Sequence, residues 1–384
     1  MDRRRFLKTS ALGAAALVVG EEYFTAEKML AATKRPSQLK NWAWITVNTE
    51  KSADDWKRSF NHLRESGIHA IVPEIYNGRE AYFPSQHLPV KTDLLGAMLL
   101  LAAAADLEVH AWMWAMPCMI PEMMSRHPDW YNVNAKGESA VDKPAYVDYY
   151  KFLDPGRAEV REWIQTTVKE LAHISELKGI HLDYIRHPDA ILAKGLWKKY
   201  NIMQDKVYPP YDYGYTPYER QKFKKRHGID PLELPDPNKN NKWVRFRLDM
   251  VTDLVNDYLV PAAHAKGKMI SAAVFPGPSL AREMVRQDWG RWKLDAFLPM
   301  LYNEFYEEGS EWVREQTREG VSTVKKPVYS GLFIYNMDET NFTRTAEMAL
   351  AGGAAGISVF SAEALDESKG KALREITDKN KFVG

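Results

Sequence analysis

The run Gly179-Ile-His-Leu-Asp-Tyr-Ile-Arg-His-Pro188 sets a carboxylate, Asp183, near the end of an apolar, strand-like segment. Side chains two apart on a strand share a face, so His181 and Asp183 point one way while Ile180, Leu182 and Tyr184 point the other. A buried aspartate is costly without partners, and Arg186, just beyond it, is placed to keep it ionised. Glycosidic-bond hydrolysis needs one carboxyl group held protonated and a second held ionised. Asp183 is the first member of such a pair. The second is open between Glu74, at the tip of Ile71-Val-Pro-Glu-Ile-Tyr76, and Glu304, in Met300-Leu-Tyr-Asn-Glu-Phe305. Glu74 has the right parity and depth, whereas Glu304 has the parity but lies past its strand. Glu363 and Asp338, on later loops, are weaker candidates.

The same parity argument gathers aromatic residues around these carboxylates. Trp44 shares a face with Thr46 and Asn48, Tyr76 with Glu74, and Trp112 with Trp114 and His110. Tyr302 pairs with Glu304, and Tyr335 with Phe333. Indole and phenol rings offer a flat apolar face and a polar edge, which suits the CH-rich face and hydroxyl rim of a sugar. The expected substrate-binding set is therefore Trp44, Tyr76, Trp112, Trp114, Tyr302 and Tyr335, with His181 and Arg186 orienting Asp183.

Positioning these residues requires parallel strands whose C-terminal ends meet. Short apolar runs at Trp42–Asn48, Ala70–Tyr76, Val109–Met116, Gly179–Ile185, Met269–Phe275, Ala296–Tyr302, Val328–Tyr335 and Gly356–Phe360 read as strands. Between them, amphipathic stretches such as Asp54–Gly67, Asp93–Ala105, Arg157–Ser175, Val244–Lys266 and Arg344–Ala351 read as helices. The alternation, without a Gly-rich dinucleotide fingerprint, predicts a single-domain (β/α)8 TIM barrel over residues 38–380, with chemistry at the C-terminal face. Glycines at positions 67, 179, 267 and 352–353 read as left-handed caps where helices give way to strands. A long excursion from Pro188 to Asn241, rich in Tyr and Pro, follows the fourth strand and is placed to wall the cleft or to sit beside it.

The signature around Asp183 resembles that of the glycosyl-hydrolase-like family 10 barrels. Further matches are His127-Pro-Asp-Trp-Tyr131, Phe152-Leu-Asp-Pro-Gly-Arg-Ala-Glu-Val-Arg161, Arg226-His-Gly-Ile-Asp-Pro231 and Leu298-Pro-Met-Leu-Tyr302, spread over residues 40–365. The resemblance implies a barrel glycosidase with the signature aspartate at Asp183, acting on a polysaccharide or cell-wall glycan. The sequence departs from the family at Pro73-Glu74-Ile-Tyr-Asn, where a Gln- and Arg-bearing tip is common, and at His187, where Tyr is usual.

Met1 to Gly20 carries a basic segment, Arg3-Arg4-Arg5-Phe6-Leu7-Lys8, and then a short run of small apolar residues. That run is too short to span a bilayer, and the arginine pair resembles a twin-arginine export signal. The leader is expected to occupy residues 1–32, to engage the twin-arginine translocase, and to deliver the chain to the periplasm or the exterior. A net charge of +1, from 52 basic and 51 acidic residues, gives no global field for nucleic acid or anionic membrane. The single cysteine, Cys118, excludes an intrachain disulfide framework. No cofactor is expected. Two rival readings remain: a carbohydrate-binding barrel without turnover, and a metal-dependent hydrolase built on His181-x-Asp183 with His110 and His187.

Overall fold

A computed structural model describes residues 39–380; the proposed leader lies outside the described residues. Eight parallel strands run β1 (Asn41–Ile45), β2 (Ile68–Tyr76), β3 (Glu108–Trp114), β4 (Gly179–Asp183), β5 (Met269–Val274), β6 (Ala296–Pro299), β7 (Tyr329–Phe333) and β8 (Gly356–Phe360). Their order is β6-β5-β4-β3-β2-β1-β8-β7. Parallel bridges Phe297↔Val328 and Met300↔Gly331 join β6 to β7 and close the ring. The expected TIM barrel is present as a single domain with a long insertion after β4.

Alternation along each strand divides the core into two layers. Trp42, Trp44, Ala70, Val72, Trp112, Ala273 and Leu298 fill the lumen. Ala43, Ile71, Val109, Ile180, Ile270, Phe297 and Ile357 pack outward against the helices. Each large side chain buried in this way contributes roughly 1.5–3 kcal/mol, and Trp42 and Trp44, both essentially inaccessible, plug the lumen below the site.

Strand and helix boundaries depart from the apolar runs for local reasons. β4 stops at Asp183 rather than Ile185 because Tyr184 takes a left-handed conformation at φ 50°. β6 stops at Pro299, short of Tyr302. The stretch expected as one helix over Val244–Lys266 is helical over Asn241–Asp253, widens into a π-turn at Leu254–Leu259, and resumes at Val260–His264. Pro261 accounts for the widening, since its ring lacks an N–H and crowds the carbonyl four residues back. Gly67, Gly267 and Gly353 do take positive φ. Gly179 does not; a side chain there would strike the His110 ring and the Met269 carbonyl, so close packing is what requires glycine.

The insertion carries the helix Pro217–His227, and its Tyr215 and Phe223 form a small core with Trp243 of the helix Asn241–Asp253. Arg247 and Arg286 converge on the buried Asp212 and pin the insertion to the barrel. Among the described residues, no helix is long and apolar enough to cross a membrane.

Candidate active site

A cavity of about 440 Å³ opens at the C-terminal ends of the strands, in the size range of small-ligand sites. Seven of the expected residues line it: Trp44, Glu74, Trp112, Trp114, Asp183, Arg186 and Tyr302.

Asp183 is the last residue of β4, and the turn that follows determines what surrounds it. With Tyr184 in a left-handed conformation, its backbone N–H folds back to donate to Asp183 Oδ1 at 2.6 Å. Across the β3–β4 pairing, Trp112 donates its indole N–H to Oδ2 at 3.1 Å. Both carboxylate oxygens are thereby engaged, and the group is only 9% exposed. Burial pushes its pKa up to about 6, against the opposing pull of the Tyr184 N–H, the Arg186 charge and the Trp112 N–H.

Glu74 stands on the far side of β3. The register sets Glu74 beside Trp112 and Asp183 beside Trp114, so the two carboxyl groups flank the β3 tryptophans from neighbouring strands. Glu74 is equally buried, and its pKa rises to about 7. Desolvation is the main cause; the negative charge of Asp183 adds to it, and the nearby Trp114 N–H opposes it without forming a hydrogen bond of regular geometry. Near neutral pH, the environment holds Glu74 as the more protonated member and Asp183 as the more ionised one. That division suits an acid and a base working together.

Arg186 lies within range of Asp183 electrostatically but does not hydrogen-bond to it. Its Nη1 donates to Asp189 Oδ2 at 2.8 Å, and aromatic rings surround the guanidinium, with Phe275 centred 4.9 Å away. Trp112 and the Tyr184 backbone do the orienting that had been expected of Arg186 and His181. His181 is fully buried beneath the cavity. An indole N–H can only donate, so His181 Nε2 accepts from Trp44 at 3.0 Å, and Nδ1 carries the proton toward Ser271 Oγ. The imidazole therefore fixes the Trp44 ring, and burial drives its pKa down to about 3.

Four expected residues do not line the cavity. His181 is one. Tyr76 is turned into the outer layer, its phenol against Cys118, because the β2–β3 register shifts between Glu74 and Tyr76. A bulge of this kind breaks the period-two rule on which the parity argument rests. Tyr335 is half exposed at the rim, its hydroxyl bonded to Ser361 at 2.6 Å. Glu304 is exposed and accepts from Asn336 at 3.1 Å, facing a separate polar hollow lined by Asn303, Asn341 and Arg344. Asp338 caps the helix Glu339–Ala351, and Glu363 accepts from Ser361, so both have local structural partners.

Sequence reasoning missed several lining residues, among them Tyr184, which parity sends away from the site but which lines the cavity once its left-handed backbone ends the strand. Phe360 at the end of β8 and Met300, one residue past β6, follow lumen parity and were recoverable by the same rule. Tyr150 and Asp189 come from loops and Phe305 from the single turn of 3-10 helix Asn303–Tyr306, where no period indicates direction. The insertion contributes Ala193 and Leu196 to one wall, while its helical part stays peripheral. His110, His181 and His187 do not converge, and among the described residues no group of three or more His, Cys, Asp or Glu is arranged to hold a metal ion.

Known structures share this architecture. The PgaB (BpsB) glycoside hydrolase domain from Bordetella bronchiseptica superposes with a TM-score of 0.68 at 13% identity, covering 88% of this chain and 99% of that one. The catalytic domain of β-amylase from Paenibacillus polymyxa gives 0.62 at 11% identity, covering 90% and 98%. The β-galactosidase from Marinomonas ef1 gives 0.63 at 12% identity, covering 89% of this chain and 59% of that one. At such identities the likeness is one of fold. Among curated proteins, none matches the sequence. The family model described as glycosyl hydrolase-like 10 matches residues 39–345, well over half of the chain, and the protein belongs to that family.

Proposed function

We propose that the protein hydrolyses a glycosidic bond in a polysaccharide or cell-wall glycan, with Glu74 as proton donor and Asp183 as the ionised partner. The observation that carries this reading is the pair itself: two carboxyl groups, each 9% exposed, flank the same two tryptophans with pKa values raised to about 7 and about 6. The family and the fold agree with it. In the reaction, Glu74 gives its proton to the glycosidic oxygen as the C1–O bond breaks. Asp183 presents negative charge to the anomeric carbon, and water supplies the new C1–O bond and returns a proton to the pair. Trp44, Trp112, Trp114 and Tyr302 supply the apolar faces against which the sugar rests.

The arginine pair and the apolar run after it support export by the twin-arginine translocase and action in the periplasm or beyond. The test of function is reducing-end release by the purified mature protein from stripped peptidoglycan glycan strands and common plant, algal and host polysaccharides. Cleavage of one of these, reduced roughly a thousandfold by Asp183→Asn, is expected. Sugar binding without cleavage by the wild type favours a binding barrel instead.

A further inference from the structure

The aromatic wall of the cavity does not stop at the cavity. Trp114 and Tyr184 both line it. Tyr149, from the loop between β3 and the helix Ala158–Ala172, lies outside the lining, with its ring centre 5.6 Å from Trp114 and 6.4 Å from Tyr184. It is 37% exposed, one of few large apolar side chains in the described structure left open to solvent. Three observations indicate that it is held rigidly in that position. It packs edge-to-face with Tyr150, ring centres 5.3 Å apart, and Tyr150 is anchored by its hydroxyl to Asp189 at 2.9 Å. Three residues earlier, Tyr146 stacks nearly flat on Tyr211 of the insertion, 4.7 Å apart at 10°. The Tyr146 hydroxyl also donates to the Asp189 carbonyl at 2.8 Å, so the insertion braces the loop that carries Tyr149. A solvent-facing ring held from below in this way has its ordering cost met before any ligand arrives.

We infer that Tyr149 forms a further saccharide-binding subsite outside the cavity, stacking on a sugar unit of the same chain whose scissile bond lies between Glu74 and Asp183. The inference rests on the hydrolase reading for the direction of the chain, and it extends that reading to substrates long enough to leave the cavity. Trp114 and Tyr149 together present a stepped ledge from inside to outside, and an aromatic ring recognises a pyranose by its CH face whatever the linkage. The phenol ring offers the CH face a flat apolar surface and brings no charged partner of its own, so the ligand class taken for the subsite is an uncharged stretch of the chain.

The test separates the ledge from catalysis by using binding as its readout. Asp183→Asn protein is titrated calorimetrically with cellohexaose, chitohexaose, mannohexaose and xylohexaose, and with the matching disaccharides. The same titrations are run with Tyr149→Ala and Tyr149→Phe added. At least one hexasaccharide is expected to bind, with affinity reduced roughly three- to tenfold by Tyr149→Ala and restored by Tyr149→Phe, while the disaccharide is unaffected. Equal weakening of hexasaccharide and disaccharide, or no weakening, overturns the subsite. Failure of all four hexasaccharides to bind also overturns it, yet leaves the hydrolase reading to stand or fall on the release assay.

Discussion

Trp112 and Asp183 are joined by an indole N–H donated to Oδ2 at 3.1 Å, across adjacent strands whose register sets Trp114 directly beside Asp183. The contact joins a cavity-lining ring to the carboxylate. On the proposed reading, one residue presents a ring to the sugar and at the same time favours the ionised form of its neighbour.

Removing that donor tests the link. Trp112→Phe keeps a ring on the lumen face but leaves Asp183 with the Tyr184 N–H alone. A hydrogen bond to a charged group contributes roughly 1.5–3 kcal/mol, so kcat is expected to fall about tenfold to a hundredfold. Because the Trp112 N–H lowers the Asp183 pKa, its loss raises that pKa, and the acidic limb of the pH–rate profile moves to higher pH. An unmoved limb excludes the contact as a determinant of ionisation.

The raised carboxyl groups also specify a pH optimum. On the proposed roles, turnover needs Asp183 ionised and Glu74 protonated, which confines it to a window bounded by about 6 and about 7. A bell-shaped kcat/KM profile is expected, with apparent values belonging to the pair rather than to either residue. Since the Asp183 charge raises Glu74, Asp183→Asn lowers the Glu74 pKa, which carboxyl-selective infrared or NMR titration reads without needing turnover.

Burying Glu74 has a stability consequence. Its folded-state pKa lies above the unfolded value, 4.5 rising to about 7, so its effect on stability is most favourable below the unfolded value and is lost as pH rises through the folded one. At pH 8 the buried charge costs on the order of 2–3 kcal/mol. Glu74→Gln is therefore expected to raise Tm relative to wild type at pH 8, with the difference vanishing near pH 4. A Tm gain of equal size at both pH values assigns the effect to packing rather than to ionisation.

Export has its own test. Arg3→Lys together with Arg4→Lys is expected to leave full-length chain in the cytoplasm of a bacterial host, with the envelope fraction depleted. Undiminished export of the double variant removes the twin-arginine assignment while leaving the barrel chemistry untouched.

Much of this architecture is legible in the sequence, and the reason is period two. Strict alternation on β1, β3 and β4 sent Trp44, Trp112, Trp114 and Asp183 to one opening. The rule failed where the backbone leaves the ladder. The β2 bulge turns Tyr76 away one residue pair after Glu74, and the early end of β6 sends Glu304 toward a neighbouring hollow while Tyr302 stays in the cavity. Arg186 lines the cavity and its charge lowers the Asp183 pKa, but its hydrogen bond goes to Asp189, three residues on, a partner that nothing in the sequence reveals. Tyr149 and Tyr150 were silent for the same reason as other loop residues: their direction is set by tertiary stacking rather than by local period.

The most direct test of the central claim compares Glu74→Gln, Asp183→Asn and Glu304→Gln on the polysaccharide cleaved by the wild type and on a dinitrophenyl glycoside of its sugar. A dinitrophenolate departs without needing a proton. If Glu74 is the acid, Glu74→Gln loses roughly a thousandfold on the polysaccharide and far less on the activated glycoside, Asp183→Asn loses on both, and Glu304→Gln on neither. Full polysaccharide activity in Glu74→Gln, or a thousandfold loss in Glu304→Gln, contradicts the account.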